Sequence, residues 1–344
     1  MSTPAEEGYR WPAEWEPHDA TWISWPHPEG VSFPDSYHNV LPTLVAMARA
    51  VADSERLNIN VRDAAEESVV RSYFKGEVPS NANFVHISTN EPWCRDHGPI
   101  FLTRASDPGL AVVDWGYNAW GGKYPPFADD DEVPTKIARA LELPLWKPPL
   151  ILEGGSIEGN GDGTLLTTES CLLNPNRNPQ FDKAQIEGWL CDFLGVRQIL
   201  WLGEGIEGDD TDGHVDDLTR FVNRTTVVTV IERDKSDSNY EPLKENAQRL
   251  RQMKLWNGTP LNVVELPMPR RIEREGQRLP ASYANFYITN RSIVLPVFSD
   301  PADTEAVAIL SKIFPERKIV PIDCSELIWG LGAFHCLTQQ QPQP

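Results

Sequence analysis

The sequence predicts an α/β protein in which short strands alternate with amphipathic helices. Runs rich in β-branched and aromatic residues recur along the chain, and helical patterns lie between several of them. The alternation repeats roughly every 30–60 residues, which favours layered α/β structure over an all-helical or all-β fold. No low-complexity linker divides the 344 residues, because the 30 prolines are spread throughout. We therefore expect one domain spanning residues 1–344.

The predicted elements follow in chain order. Strands are predicted at residues 20–25, 57–61, 84–87, 110–113, 165–168, 198–202, 226–230, 262–265, 292–296 and 318–321. Helices are predicted at residues 37–54, 134–143, 182–194, 243–254 and 303–314. No internal sequence repeat is obvious, although a structural repeat can persist without one.

A glycine-rich segment at residues 153–164 holds five glycines in twelve positions. Its Asn-Gly-Asp-Gly run at 160–163, flanked by apolar residues, predicts a β-hairpin. A phosphate-binding loop is the weaker interpretation, because no Gly-Lys-Ser/Thr follows and a strand comes next. Glu153 precedes the glycines directly, and glycine lets backbone approach a ligand closely, so Glu153 is a candidate binding residue.

Composition limits the partners and the compartment. The formal charge of −19 argues against nucleic acid or an anionic membrane as a partner and permits a cationic substrate. Five cysteines at irregular spacing fit neither a disulfide framework nor a zinc knuckle. The N-terminus has no basic or apolar stretch typical of a signal peptide. We expect a protein of the reducing cytoplasm, where a thiol stays available as a nucleophile.

The candidate nucleophile is Cys336, near the end of the sequence. It lies in a segment of small and apolar residues at 330–340, directly after His335. A free cysteine is commonly just a small core residue, and that interpretation stays open for Cys336 taken alone. The catalytic interpretation depends on the partners that a thiolate needs, which lie elsewhere in the chain. Cys94 has no such partner and is interpreted as incidental.

Residues 208–217 contain five acids and His214. If residues 214–216 are extended, His214 and Asp216 share one face while Val215 packs on the other. A solvated acidic turn is the alternative. The Asp-x-His-x-Asp pattern at 212–216 also resembles an element of binuclear manganese ureohydrolases. Those enzymes need a second histidine and acid cluster, which the other histidines here lack, so we expect no metal.

A second constellation surrounds Trp93 and Asp96, which the following Gly-Pro places in a loop leaving a strand. An aromatic face beside a carboxylate suits a guanidinium, although Arg95 and Asp96 could simply hold the loop together. The aromatic, glycine-rich segment at 116–126 contains Trp120, a candidate for clamping a cationic ligand. The acids at 129–132 are better explained as a helix start, because Pro134 follows them.

Seven motifs occur in order between about residues 10 and 340. They are PAEWEPH (12–18), WCRDHGP (93–99), NAWGGKY (118–124), EGG (153–155), DGHVD (212–216), YANFY (283–287) and HCLTQQ (335–340). Together they resemble the agmatine deiminase family, the branch of guanidine-modifying enzymes that also includes bacterial peptidyl-arginine deiminase. Any single motif is weak evidence, whereas seven in order are specific.

The resemblance implies a fivefold pseudo-symmetric α/β propeller, the pentein fold, with a central site that needs no cofactor. It implies that Cys336 is the nucleophile, that His214 is the acid and base, and that Asp96 and Asp216 hold the guanidinium. Trp93 and Asn285 are implied as supporting residues, beside the binding candidates Glu153 and Trp120. The expected reaction converts agmatine and water to N-carbamoylputrescine and ammonia, toward putrescine. A homodimer is expected by base rate alone.

Two departures from the family pattern bear on the substrate. Leu331 and Ala333 stand where the family has glycine and asparagine, and the segment before Trp93 is Asn90-Glu91-Pro92, where the family usually carries Asn-Asp. Deimination of another guanidine, such as peptidyl-arginine or free arginine, is therefore an alternative. A metal-dependent ureohydrolase that releases urea and a non-catalytic polyamine-binding module are the two other classes considered.

Overall fold

The structure, a computed structural model, describes residues 2–107 and 109–344. Its strands are β1 (His18–Ser24), β2 (Arg56–Val61), β3 (Ala82–His86), β4 (Ile100–Thr103), β5 (Leu110–Val113), β6 (Leu145–Trp146), β7 (Ile157–Gly159), β8 (Thr164–Thr168), β9 (Gln198–Leu202), β10 (Thr219–Asn223), β11 (Thr226–Ile231), β12 (Asn262–Pro267), β13 (Glu273–Arg274), β14 (Gln277–Arg278), β15 (Tyr287–Ile288), β16 (Ser292–Val297), β17 (Lys318–Asp323) and β18 (Thr338–Pro342).

The helices are α1 (Tyr37–Ala52), α2 (Ala64–Tyr73), α3 (Cys94–His97), α4 (Ala119–Gly122), α5 (Ala128–Asp131), α6 (Val133–Ala140), α7 (Glu169–Leu172), α8 (Lys183–Leu194), α9 (Tyr240–Gln252), α10 (Asp303–Ile313) and α11 (Phe334–Leu337). Short 3₁₀ turns form at Gly154–Ser156, Val215–Asp217 and Leu327–Gly330.

Within the described residues, five sheets are built to one plan. In each, the first strand is antiparallel to the second, and the third is parallel to the second. A parallel neighbour requires a crossover, and the longest helix in each crossover is α6, α8, α9, α10 or α1. The sheets are β4-β5-β6, β7-β8-β9, β10-β11-β12, β15-β16-β17 and β18-β1-β2-β3. This fivefold repeat confirms the fold that the sequence resemblance implied.

The two ends of the chain meet in one sheet. Strand β18 pairs antiparallel with β1, where Thr338 faces Ile23 and Gln340 faces Thr21. Chain termini are usually frayed, but this one is held by a ladder of backbone hydrogen bonds. Cys336 lies in α11, directly before β18, so the pairing of the two ends fixes the position of its thiol.

Each predicted strand and helix is present, with ends shifted by a few residues at most. The glycine-rich hairpin is also confirmed, because β7 and β8 pair antiparallel with Ile157 opposite Thr167. The sequence analysis missed helix α2 and the first strand of every sheet (β4, β7, β10, β15 and β18). These first strands are two to five residues long. Their side chains are mostly buried, polar ones included, so neither alternation nor hydrophobicity reveals them.

Apolar packing lies between each sheet and its helix. On α1, for example, Val40, Leu44, Met47 and Val51 are buried in the largest hydrophobic cluster. Burying each such side chain stabilises the fold by about 1.5–3 kcal/mol. The first strands, by contrast, surround buried charged side chains such as Glu158 and Arg220. The packed layers thus hold a polar centre in place.

Candidate active site

In each of the five sheets, the segment directly before the first strand contributes residues to the candidate site. The segment just before the first strand is a short helical turn or a tight loop, and these segments lie together near the centre. They carry, in sheet order, Asp96 in α3, Glu153 before the 154–156 turn, His214 and Asp216 around the 215–217 turn, Asn285 before β15, and Cys336 in α11. The structure therefore brings together candidates that are up to 240 positions apart in the sequence (Asp96 to Cys336).

Asn285 holds the thiol of Cys336. Its side-chain Nδ2 donates to Sγ of Cys336 at 3.0 Å and to Oδ1 of Asp217 at 2.9 Å. Its Oδ1 accepts from the backbone N–H groups of His335 at 3.0 Å and Cys336 at 3.3 Å. One amide thus uses both of its ends to orient the α11 turn and the nucleophile. Asp217, which the sequence analysis did not single out, fixes that amide.

The substrate-free site favours a neutral thiol at Cys336. Burial raises its pKa well above the ordinary value, and the nearby carboxylates of Asp216, Asp217 and Asp96 raise it further. Sγ lies 3.6 Å from Oδ2 of Asp216. Because burial and then the carboxylates raise the pKa of Cys336 in the free site, a bound cation is the change that would lower it.

Asp96 lies on a helical turn that precedes strand β4, and not on a loop leaving a strand as the sequence suggested. Its Oδ2 accepts from Nε1 of Trp120 at 3.1 Å, and its Oδ1 accepts from the backbone N–H of Gly155 at 3.0 Å. Burial raises the pKa of Asp96 to about 6, against a lowering effect of His214. Trp120 therefore both walls the site and orients this carboxylate.

The imidazole of His214 lies between two carboxylates. Its Nδ1 is 3.6 Å from Oδ1 of Asp96, and its Nε2 is 3.9 Å from Oε2 of Glu153. Burial alone would lower the pKa of His214, but Asp96, Cys171 and Glu153 together raise it well above its usual value. The raised pKa favours the charged imidazolium, the form that can donate a proton.

The extended conformation expected for residues 214–216 is wrong, because Val215–Asp217 form a 3₁₀ turn. His214 and Asp216 nevertheless reach the same point beside Gly155. A Cβ at position 155 would lie 2.6 Å from Nδ1 of His214, 2.7 Å from Oδ1 of Asp96 and 3.1 Å from Oδ2 of Asp216. Only glycine leaves room for these three side chains to converge.

Glu153 is anchored by Arg177, a residue that the sequence analysis missed. Nε of Arg177 donates to Oε1 of Glu153 at 2.7 Å, and its NH1 donates to Oδ2 of Asp212 at 2.5 Å. Burial would raise the pKa of Glu153, but Arg177 and His214 lower it overall. Asp212 thus pairs with a guanidinium, whereas Asp216 pairs with His335. The two acids of the Asp-x-His-x-Asp pattern serve separate cationic partners.

A buried ionic network lies beneath the thiol. Oδ2 of Asp216 meets Nδ1 of His335 at 2.6 Å, and Oε2 of Glu14 meets Nε2 of the same ring at 2.7 Å. Arg220 forms ion pairs with Glu14 and Glu158, each at 2.9 Å. Burial would raise the pKa of Asp216, but the hydrogen bond and charge of His335 lower it. The only sequence signal for Glu14 was that its motif, PAEWEPH (12–18), is the first of the seven motifs that occur in order.

A cavity of about 170 Å³ opens above Cys336 and Asp96. Aromatic side chains form its walls: Trp93, Trp120, Tyr124 and Trp329. Nε1 of Trp93 donates to Oγ of Ser32 at 2.8 Å, in a loop whose backbone N–H at Val31 donates to Glu91 at 2.8 Å. Glu91, one of the departures from the family pattern, therefore supports the cavity wall.

The far part of the cavity is polar and acidic. Asp210, Thr211 and Gln277 line it, together with the aromatic walls. The carboxylate of Asp210 lies 3.4 Å from Nζ of Lys123 and accepts a hydrogen bond from the hydroxyl of Tyr124. The described residues that line the cavity include the carboxylates of Asp96 and Asp210 and no lysine or arginine.

Two carboxylates, a thiol and an imidazolium around an aromatic cavity define a site for modifying a planar cation. Residues 10–342 match the Porphyromonas-type peptidyl-arginine deiminase family. The chain belongs to this family, as the sequence resemblance indicated.

Similar proteins match along the full length of the chain. The agmatine deiminase of Pseudomonas aeruginosa (strain LESB58) is 38% identical over 371 residues, covering 100% of this chain and 98% of the relative. The solved agmatine deiminase of Enterococcus faecalis has a TM-score of 0.94 at 33% identity, covering 100% and 98% of the two chains. A cysteine-to-serine variant of C. jejuni agmatine deiminase with substrate bound has a TM-score of 0.89 at 31% identity, covering 97% and 96%.

The described residues also bear on membrane association. None of their helices is long and apolar enough to cross a bilayer.

Proposed function

We propose that this chain is an agmatine deiminase, converting agmatine and water to N-carbamoylputrescine and ammonia through a covalent thiouronium on Cys336. The observation that carries the proposal is the convergence of the Cys336 thiol, the His214 imidazole and two buried carboxylates, Asp96 and Asp216, at the base of a cavity that Cys336 and Asp96 line. Conversion of agmatine in this way leads toward putrescine.

The carboxylates suit a guanidinium. A guanidinium presents planar, paired N–H donors, and carboxylates accept them in well-defined directions. Oδ1 of Asp216 is buried without a hydrogen-bond partner, which is costly unless a ligand supplies a donor. Trp93 and Trp120 offer aromatic faces on the cavity wall, which attract a delocalised cation. Asp96, Asp216, Trp93 and Trp120 are therefore proposed to bind the guanidinium.

The chemistry follows from the charges of the site. Burial and three carboxylates keep the Cys336 thiol neutral, and the bound cation offsets the carboxylates, so substrate binding favours the thiolate and releases the thiol proton to solvent, from which the departing ammonia later takes up a proton. The thiolate attacks the central carbon, and the His214 imidazolium donates a proton to the departing ammonia. The neutral imidazole then takes a proton from the water that resolves the thiouronium, which releases the ureido product and the thiol. Acid–base help of this kind contributes about 10²–10⁴ in rate.

The supporting residues keep this geometry. Asn285 orients the thiol, and Glu153, held by Arg177, faces the far nitrogen of His214. The two carboxylates beside His214 favour its charged form, which suits a residue that acts as the acid in the first step. We assign Asn285 and Glu153 as positioning residues in this mechanism.

The distal part of the cavity supports agmatine as the substrate. Agmatine carries an ammonium at the end opposite its guanidinium, and Asp210 lines that part of the cavity beside Thr211 and Gln277. The α-carboxylate of arginine would instead meet Asp210, whose cationic partner Lys123 lies outside the described cavity lining. A carboxylate taken out of water without a cationic partner is strongly disfavoured.

Peptidyl-arginine is the second candidate substrate, because the matched family is described by that activity. It lacks a free α-carboxylate, so the acidic cavity rejects it less strongly than free arginine. The chemistry of Cys336 and His214 would be the same for all three guanidines.

Ammonia and N-carbamoylputrescine release from agmatine tests the proposal, with wild type and Cys336→Ala compared in the presence and absence of a chelator. Release that depends on Cys336 and persists with the chelator is the expected result. Release of urea that the chelator abolishes would replace the thiol mechanism with a metal-dependent one. Release from peptidyl-arginine but not from agmatine would keep the mechanism and change the substrate.

We further propose one catalytic domain that acts in the cytoplasm as a homodimer. The pairing of β18 with β1 supports a single domain, because it joins both ends of the chain in one sheet. A reducing compartment suits a mechanism that needs Cys336 as a free thiol. Light scattering of the purified chain decides between monomer and dimer.

A further inference from the structure

Leu331 has a backbone conformation that leucine rarely adopts. It follows the 3₁₀ turn at Leu327–Gly330 with φ 70° and ψ 17°, in the left-handed region. The Cβ of an L-residue crowds the carbonyl oxygen there, so glycine is the usual occupant. Left-handed residues other than glycine persist where the surrounding structure requires them, and they cluster at functional sites.

The neighbours of Leu331 explain why a side chain at this position is informative. Both flanking glycines pack against Trp93: a Cβ on Gly332 would lie 2.6 Å from Cζ3 of its ring, and one on Gly330 would lie 3.0 Å from Cζ2. Neither position therefore has room for a side chain. Leu331 lies between them, half-buried, and lines the cavity beside Trp93 and Trp329.

We infer that Leu331 is a specificity-determining residue, whose side chain makes this wall of the cavity apolar and restricts substrates to guanidines with an unsubstituted alkyl chain. The inference rests on the proposed function and deepens it. The methylenes of such a chain can pack on Leu331 and Trp329, which stabilises the complex by removing apolar surface from water. An amide or carboxylate on the chain would instead lose its hydration against leucine and indole without a hydrogen-bond partner.

Two variants separate the side chain from the backbone. Leu331→Gly removes the side chain and also the left-handed constraint, whereas Leu331→Ala removes most of the side chain and keeps the constraint. Lys75→Gly is the matched control, because Lys75 is also left-handed (φ 53°) but is exposed and lies beyond α2, outside the cavity lining. Thermal unfolding of all four proteins establishes that the variants fold.

The measured quantity is the ratio of kcat/KM for agmatine to kcat/KM for N-acetyl-arginine amide, a guanidine with amides on its chain. Wild type should favour agmatine. Both Leu331 variants should lower the ratio at least about tenfold, mainly through faster use of N-acetyl-arginine amide, because a few methyl groups in an apolar pocket discriminate by that amount. Lys75→Gly should keep the wild-type ratio.

A ratio within twofold of wild type in both Leu331 variants would overturn the inference. A change in Leu331→Gly alone would also overturn it, since backbone freedom rather than the side chain would then be responsible. If wild type turns over neither compound, the proposed function fails separately. Binding of agmatine and of N-acetyl-arginine amide is then measured with Cys336→Ala, with and without Leu331→Ala. The ratio of the two affinities decides the inference in the same way.

Discussion

Nδ1 of His335 lies 2.6 Å from Oδ2 of Asp216, and Nε2 of the same ring lies 2.7 Å from Oε2 of Glu14. The ring of His335 therefore bridges two buried carboxylates that come from distant parts of the chain. The residue directly before the proposed nucleophile thus holds one oxygen of Asp216 and leaves Oδ1 without a partner. The turn that presents the thiol also orients the carboxylate that would bind the substrate.

His335→Gln should lower kcat/KM for agmatine by about 10- to 100-fold, because small displacements of a positioned group are that costly. Glutamine cannot reproduce both contacts of the imidazole ring, with Asp216 and with Glu14, so the carboxylate of Asp216 should lose its orientation. Steady-state kinetics measures the loss. His38→Gln, at an exposed position on α1, is the matched control and should behave as wild type. Equal activity of His335→Gln and wild type would contradict the positioning role.

The pH dependence of kcat/KM should report Asp96, whose pKa is raised to about 6. Its charged form, which accepts the guanidinium, predominates above that pH and is lost as the pH falls through it. We therefore expect kcat/KM to rise with pH through about 6. A bound guanidinium favours the ionised form, so kcat alone should show this transition at lower pH.

Asp96→Asn should abolish the dependence of kcat/KM on pH near 6 together with most of the activity. A transition that persists in Asp96→Asn would assign it to another group.

The thiol of Cys336 should react slowly with iodoacetamide at neutral pH in the free protein, since its pKa is raised well above the ordinary value. The thiolate is the nucleophile, so alkylation should accelerate with rising pH and, at constant pH, when guanidinium ion is added at millimolar concentration. Mass spectrometry of the modified peptide measures the rate. If alkylation accelerates with rising pH but not with added guanidinium, the cation does not act at this site.

Asp210→Asn should raise KM for agmatine about tenfold with little change in kcat. The charge at 210 is proposed to bind the distal ammonium, which contributes equally to the ground state and the transition state. Asp129→Asn provides the comparison, because Asp129 is exposed, pairs with Lys136 and lies outside the cavity lining. An unchanged KM in Asp210→Asn would move the distal contact to Thr211, Gln277 or the aromatic walls.

Gly155→Ala should remove activity almost completely and lower stability by about 1–3 kcal/mol, since its Cβ would collide with His214 and Asp96. Gly188→Ala is the matched control. Gly188 lies inside α8, and a Cβ added there would meet nothing within 4 Å, so alanine should add about 0.5–1 kcal/mol of stability. Chemical denaturation and ammonia release measure both effects. Full activity in Gly155→Ala would contradict the convergence of the site at this glycine.

Much of the candidate site could be predicted because its residues are chemically unusual in their sequence context. Cys336 follows a histidine in a glycine-rich segment, His214 stands among acids, and Asp96 lies beside tryptophan and glycine-proline. Order along the chain then linked these motifs to one family. Arg177 and Glu14 are not chemically unusual in this way, because a single arginine or glutamate is ordinary on a surface and becomes informative only when it is found buried.

By itself, the sequence determined the α/β class, the main helices and outer strands, and the candidates for the reactive side chains, since these depend on local periodicity and residue chemistry. Only the tertiary structure decided how five segments, separated by tens of residues, meet at one point, and which charge each group carries there. Burial raises the pKa of Asp96 and Cys336, whereas long-range neighbours raise the pKa of His214 against the effect of burial. Those neighbours come from different sheets, so no local pattern encodes them.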